Sequence, residues 1–272
     1  MVSGVECRVG FVGAGSVARA LARAASARGW PVCFYDIDRE RAGEAASQYG
    51  GLSFSSLQGL AAESEAIVVA VPGPAAGGVM VEAARSSRSG TLVVDTATFK
   101  RGVVAAARGM PPRVLAALTH PLFGGRASRP EKHYVAVMPF PGREGVVEAE
   151  RLYREMGFNT IRLRSWEEHD RLAGYSIGLV YALAEALYAA LESGGLDLDS
   201  PLPSTTYRVL GMLAQSVLSD SPDLRGEILS NPSTREAAAS LASALMEVAR
   251  GAGPRGRGRS SYNLLYRLLE EC

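Results

Sequence analysis

Through the first 164 residues, apolar positions gather in short runs bounded by glycine, proline or charge, with stretches of helical composition between them. The run that opens 7–24, then 30–35 (WPVCFY), 66–71 (AIVVAV), 91–95 (TLVVD), 114–118 (VLAAL), 134–138 (YVAVM) and 160–163 each have the length of a strand. Most are continuously hydrophobic, as strands covered on both faces are. The alanine-rich stretch ending at Ala24, and the spans 39–49, 101–108 and 144–156, read as helices, the second of them stopping at Gly50-Gly51. Strands alternating with helices at this spacing predict a parallel, doubly wound sheet, whose ligands lie outside the carboxyl ends of the strands. Beyond Arg164 the alternation stops. The spans 172–191, 205–218, 234–250 and 262–271 read as helices and no further strand is predicted. The expected organisation is an α/β domain over 1–164 and an all-helical domain over 165–272.

Composition adds limits. A chain of 272 residues with 47% hydrophobic and 21% charged residues is that of a well-cored globular protein. A formal net charge of +1 supplies no field that selects nucleic acid or an acidic membrane, and Arg255, Arg257 and Arg259, set among glycines, read as a solvated loop. Cys7, Cys33 and Cys272 have neither a metal-ligand spacing nor an even count for disulfides. They are expected as thiols in a reducing cytoplasm, with Cys7 and Cys33 as small core residues of neighbouring strands, and no metal is expected. The N-terminus carries no signal-peptide pattern. The span 172–191 has Glu185 as its one charge and approaches the length of a membrane span. Its Gly174, Ser176 and Gly178, its alanines and its place after a complete α/β unit predict a buried helix instead.

The junction of the first strand and helix carries chemistry. Gly13, Gly15 and Ala18 form G-x-G-x-x-A. The first glycine permits the tight turn, the second leaves room for a pyrophosphate at the backbone, and the alanine lets the helix pack on the strand. The free N–H groups at the helix start then face the phosphates. Asp36 closes the second strand, where the ribose-binding acid of a Rossmann-type dinucleotide site belongs. The expected cofactor contacts are Gly13, Ala14, Gly15, Ser16, Val17, Asp36, Val71 and Pro72. NAD is expected before NADP, because the Asp36 charge repels a 2′-phosphate, although Arg39 stands ready to meet one.

Two more strand ends should reach that crevice: Asp95-Thr96-Ala97-Thr98-Phe99-Lys100, and Thr119-His120-Pro121-Leu122-Phe123-Gly124-Gly125. At the start of the helical region, Ser165 and Glu168 have capping-box spacing, and His169 follows in the first turn, where a helix end attracts an anion. With His120-Pro121-Leu122-Phe123-Gly124 after a strand and Glu167-Glu168-His169-Asp170 opening a helix, the chain resembles the prephenate dehydrogenase family. The family's stretches read H-P-M-F-G and, close to the second, E-E-H-D. The resemblance extends to the segment from Ser221-Pro222-Asp223-Leu224 to Asn231-Pro232 and covers nearly the whole chain.

The resemblance implies NAD-dependent oxidative decarboxylation of prephenate, or of its transaminated relative arogenate, in tyrosine biosynthesis. It implies His120 as the catalytic histidine. Thr98 stands where the family has the serine of D-x-x-S-x-K, and His169 becomes a partner for a substrate carboxylate. It also implies a homodimer through the helical domain, which agrees with the uniform hydrophobicity of 172–191 and with Gly174 and Gly178 as points of close helix approach. One position departs: the arginine that clamps a carboxylate six residues before the proline matched by Pro222 is Ser216 here. Arg208, Arg126, Arg129 and Arg171 are the candidate replacements. His133 matches no motif and is expected at the surface. A related β-hydroxyacid-type dehydrogenase and a non-catalytic NAD-binding sensor remain the alternatives.

Overall fold

A computed structural model describes residues 7–199 and 202–253, together with Gly256, Tyr266 and Leu269. The expected helix over 262–271 and the arginine cluster at Arg255, Arg257 and Arg259 lie outside the described residues.

Eight strands form one sheet: β1 (Cys7–Val12), β2 (Val32–Tyr35), β3 (Leu52–Ser53), β4 (Ser64–Val69), β5 (Leu92–Asp95), β6 (Leu115–Pro121), β7 (Tyr134–Pro139) and β8 (Asn159–Arg162). Their order is β3-β2-β1-β4-β5-β6-β7-β8, the doubly wound order with two added strands at one edge. The parallel sheet predicted from the sequence needs one correction. β7 runs antiparallel to β6, with His120 opposite Ala136 and Pro121 opposite Val135, whereas β8 is parallel to β7. Buried antiparallel and parallel strands have the same continuous apolar pattern, so direction was not legible in it. Pairing with β7 also carries β6 three residues past its expected end at Leu118, placing His120 within the strand.

Seven helices accompany the sheet before the chain turns all-helical: α1 (Ser16–Ser26), α2 (Arg39–Tyr49), α3 (Leu57–Glu63), α4 (Gly73–Ser86), α5 (Arg101–Ala106), α6 (Val146–Glu155) and α7 (Trp166–Ala173). Side chains alternate along the strands into two cores. Phe11, Phe34, Val68 and Val94 meet Leu21, Ala42 and Tyr153 of α1, α2 and α6 on one face. Ile67, Val69 and Val93 meet Leu60, Met80 and Val103 of α3, α4 and α5 on the other. α2 stops at Gly50 as expected, with φ +66°, and Asp38, not read as a cap beforehand, accepts from Glu40 N and Arg41 N at its start. α3 and α4 were not anticipated; the prolines after β4 read as a turn, but Pro74 sits in the first turn of α4, where its missing N–H costs nothing.

Cys7 and Cys33 form a disulfide, which corrects the expectation of free thiols. An odd cysteine count does not prevent one pair, and adjacent parallel strands bring these two Cα atoms to 5.7 Å. Both residues are fully buried.

The chain divides into two compact units after Asp170, six residues beyond the position expected from the end of the strands. His169 and Asp170 of α7 therefore belong with the sheet. The second unit holds the rest of α7, a π-helical turn (Gly174–Gly178), α8 (Leu179–Ser193), α9 (Thr205–Leu218), α10 (Pro222–Ser230) and α11 (Pro232–Ala249). Its small core joins Ala184, Ala214 and Val217, with Val180, Tyr181, Leu187 and Leu198 against them. The helix from Trp166 to Ser193 is long and apolar enough to cross a membrane, and most of its apolar window is exposed in the single chain. Within the single chain the expected burial of this span is not found; burial against a second copy is a separate expectation. Gly174 and Gly178 also have an intrachain purpose. A Cβ on Gly174 would come within 2.5 Å of Ser233 O, and one on Gly178 within 2.2 Å of Thr234 Oγ1, so the glycines admit the start of α11.

Candidate functional site

The Gly-rich turn is built as a dinucleotide needs it. Gly13 has φ +93°, and a Cβ there would come within 2.3 Å of Ala70 O, so neither conformation nor space allows another residue. Gly15, the residue before α1, has open space where its Cβ would be, and no side chain caps the helix. Its free N–H donors are therefore open to an anion. Asp36 is buried and tied to the turn: one carboxylate oxygen accepts from Ala14 N at 2.8 Å and the other from Asp38 N at 2.9 Å. Each oxygen keeps a lone pair for a ribose hydroxyl. Ser16 is exposed at the helix start, Val17 is half-buried, and Val71 and Pro72 lead into α4. A cleft of about 560 Å³ lined by Ala14, Gly15, Ser16, Arg19, Asp38 and Arg41 opens beside the turn. These residues fit a dinucleotide. Ile37, 92% exposed directly after Asp36, was missed; a large apolar side chain left in water beside such a cleft suits a base ring. Gly125 packs so tightly on Ser16 that a Cβ would fall 2.2 Å from the Ser16 Cβ, so the loop after β6 lies directly on the turn.

Beside this cradle, the ends of β5 and β6 meet in a buried polar network. Lys100 and Asp95 are completely enclosed. Lys100 Nζ donates to Asp95 Oδ2 (2.5 Å), Ala97 O (2.5 Å) and Thr119 O (2.6 Å), which uses its three hydrogens. Asp95 accepts in addition from Ala97 N and Thr119 N, and the Thr119 hydroxyl shares a hydrogen bond with Tyr153 Oη at 2.8 Å. Burial lowers the Lys100 pKa, opposed by the adjacent Asp95 charge, and burial raises that of Tyr153. A buried ion pair this fully bonded fixes the loop carrying Thr98 to the strand carrying His120. The sequence showed the two charges five apart but gave no sign that they pair.

His120 and His169 come together. His120 Nδ1 lies 3.0 Å from His169 Nε2, with the rings edge to face, and His169 Nδ1 lies 2.9 Å from Asp170 Oδ1. Asp170 accepts from the backbone N–H groups of Lys100 (2.8 Å) and Arg101 (3.0 Å). The pKa of His120 is held well below 6.5, first by burial and then by the charge of Lys100, so its ring is neutral at physiological pH. Asp170 was read only as part of a motif; its role in holding His169 was not foreseen. Ser165 caps α7 by accepting from Glu168 N, while the Glu168 carboxylate accepts from Arg164 N, one residue further back than the capping box implies.

The other candidates disperse. Thr98 is half-buried, and no hydrogen bond joins it to His120. Arg126 is exposed in the loop after β6, and Arg129 pairs with Glu131 at the surface. His133 is not a bare surface residue as expected: it is half-buried with its ring against Phe123. In the second unit, Arg171 is exposed, Arg208 lines a pocket of about 230 Å³ with Tyr207, Met212 and Gln215, and Ser216 is exposed on α9.

Comparison with known proteins follows this geometry. Residues 8–98 match the model of a family described as NADP oxidoreductase, coenzyme F420-dependent. No curated protein matches by sequence. Among solved structures, the prephenate dehydrogenase of A. aeolicus, in complex with hydroxyphenyl propionate and NAD+, superposes with a TM-score of 0.75 at 18% identity, covering 97% of this chain and 94% of its own. A putative prephenate dehydrogenase from Corynebacterium glutamicum gives 0.75 at 21% identity, over 98% and 87%. The arogenate dehydrogenase of Synechocystis gives 0.67 at 14% identity, over 97% and 96%. The chain shares the fold of prephenate and arogenate dehydrogenases.

Proposed function

We propose that the protein is an NAD-dependent dehydrogenase that decarboxylates prephenate oxidatively to 4-hydroxyphenylpyruvate, in the cytoplasm, as a step of tyrosine biosynthesis. The observation that carries this reading is the neutral, buried His120, bonded to His169 and through it to Asp170, at the carboxyl edge of a sheet whose Gly13 turn fits a dinucleotide. Bound NAD would supply the hydride acceptor. His120 accepts the proton of the ring hydroxyl through Nε2 while carbonyl character develops at that carbon. The bond to the ring carboxylate then breaks, its electron pair restores aromaticity, and the phenolic oxygen takes the borrowed proton back. Proton and charge balance without an external acid. Thr98 would steady the hydroxyl, and Gly13 to Val17 with Asp36, Val71 and Pro72 would hold the cofactor. Asp36 favours NAD over NADP.

The carboxylates need compensating charge. His169 has both ring nitrogens engaged inside the protein, so it serves a carboxylate only by exchanging one of those bonds. Arg126 and Arg208 are the proposed cationic partners. The departure at Ser216 favours one second reading, a related dehydrogenase for another small hydroxy acid. Reduction of NAD followed spectrophotometrically with prephenate, arogenate and a panel of hydroxy acids decides between them. Turnover confined to the hydroxy acids, or absent with every substrate, overturns the prephenate reading.

The exposed apolar residues of α8, α9 and α11 support a homodimer through the helical domain, and light scattering at micromolar concentration tests it. A cytoplasmic setting requires the Cys7–Cys33 bond to withstand thiol reductants, and its complete burial denies them access.

A further inference from the structure

We propose that Asp170 and His169 are positioning residues that lock His120 in the tautomer carrying hydrogen on Nδ1, so that Nε2 alone presents a lone pair. This rests on the reading of His120 as the proton acceptor. Asp170 accepts the backbone N–H groups of Lys100 and Arg101, and an ionised carboxylate has no hydrogen to give. The atom it meets in His169, Nδ1, must therefore carry the hydrogen. With the His169 imidazole neutral, which is the other half of the lock, its lone pair lies on Nε2, which can only accept. Its partner at 3.0 Å, His120 Nδ1, must be the donor. His120 being neutral, its remaining nitrogen is unprotonated. Among the described residues Nε2 makes no hydrogen bond, and it is not among the fully enclosed polar atoms that lack a partner, so it is the ring nitrogen left accessible to a substrate.

The same chain acts when the proton moves. As the substrate O–H bond breaks and the proton joins Nε2, the imidazolium keeps its Nδ1–H on His169, whose own Nδ1–H rests on the Asp170 carboxylate. When the oxygen recovers the proton, each hydrogen returns to its starting atom. Nothing is consumed. The charged groups around His120 are Lys100 and Asp95 behind the strand and His169 with Asp170 on α7; Tyr153 faces it only through Thr119. Of the two carboxylates, Asp95 is bound directly to Lys100 and Asp170 is the one connected to the ring.

Asp170→Asn tests the lock. The Asn oxygen would stay with the two backbone N–H groups, turning its NH₂ toward His169 Nδ1, a donor where the wild type has an acceptor. Both histidines would then reverse, and His120 would carry its hydrogen on Nε2. Nitrogen-15 NMR of the histidine rings reads this without any substrate. The expected result is an Nδ1–H form for both rings in the wild type and an Nε2–H form for both in Asp170→Asn. In activity, turnover should fall on the order of 10²–10⁴-fold, the usual penalty for a wrong tautomer, with NAD affinity and KM within about threefold. A merely structural Asp170 would move KM and NAD affinity instead. An Nε2–H form of His120 in the wild type, or full turnover in Asp170→Asn, overturns the proposal. If no substrate of the panel is turned over, the prephenate reading fails, while the wild-type NMR spectrum still decides the tautomer; it also serves if the variant does not fold.

Discussion

The two units of the chain use polar and apolar groups in opposite ways. In the first, every hydrogen of a completely buried lysine is spoken for, and two apolar cores enclose the sheet on both faces. In the second, the core centres on Ala184, Ala214 and Val217, while Tyr175, Tyr188, Met212, Leu213, Leu245, Met246 and Val248 stay exposed, and Arg225 Nε and Thr234 Oγ1 are buried without a partner. The first unit also has one such atom, Tyr49 Oη on α2, but the network around Lys100 and Asp95 is fully bonded and can hold a reacting group rigidly. A unit that leaves this much apolar surface in water offers it for association. Precision of chemistry and capacity for association are thus separated along the sequence, and each side of that separation can be tested.

The largest effect should fall on the first unit's chemistry. His120→Asn is expected to lower turnover roughly 10²–10⁴-fold while NAD affinity, set at Gly13, Gly15 and Asp36, stays near that of the wild type. Stopped-flow or steady-state kinetics with a separate NAD titration checks both halves. Wild-type turnover in the variant would remove His120 from the mechanism.

Next in size is the buried pair. Lys100→Met leaves the Asp95 carboxylate enclosed and without its cation, which costs about 3–5 kcal/mol. The counterpart in the second unit, Arg225 with Glu185, is partly exposed, so Arg225→Met should cost no more than about 1 kcal/mol. Denaturant midpoints of the two variants measure the contrast directly, and equal losses would erase it.

Reduction of Cys7–Cys33 should come third. The bond closes a loop between residues 26 apart, which by chain entropy contributes about 3 kcal/mol. Cys33→Ser should therefore lower the unfolding midpoint in denaturant, and a reductant strong enough to open the bond should do the same to the wild type. The variant's midpoint should no longer respond to reductant. A variant as stable as the oxidised protein would show that the staple is inert.

How much of this was legible beforehand follows from which interactions leave a local trace. The Gly13 turn, the Asp36 position and the stop of α2 at Gly50 depend on residues near one another in sequence, and their geometry agrees with that reading. The direction of β7, the Lys100–Asp95 pair and the contact of His120 with His169 depend on partners brought together by the sheet. No spacing rule encodes them. Gly174 and Gly178 show a subtler failure: the small residues correctly signalled close helix packing, but the partner is α11 of the same chain. The disulfide was lost to arithmetic, since a count of three cysteines says nothing about which strands will adjoin.

The smallest expected effect is the pH dependence of His120, and it ties stability to mechanism. Burial first, with the charge of Lys100 adding to it, holds the folded pKa well below the usual 6.5. Above 6.5 the ring is neutral in both folded and unfolded chains and the difference costs nothing. As pH falls below 6.5 the unfolded chain takes up the proton first, so stability declines until the folded ring is also protonated. His120→Asn should flatten that part of the stability curve. Turnover should hold a plateau through pH 6.5 and fall only at the lower, folded value, because the acceptor nitrogen is lost there. Potentiometric unfolding curves for wild type and His120→Asn, set beside the wild-type pH–rate profile, test both statements. An activity limb at or above 6.5 would mean that the acceptor is solvated and unlike the buried ring described here, and the contrast between a closed first unit and an unfinished second would lose its chemical half.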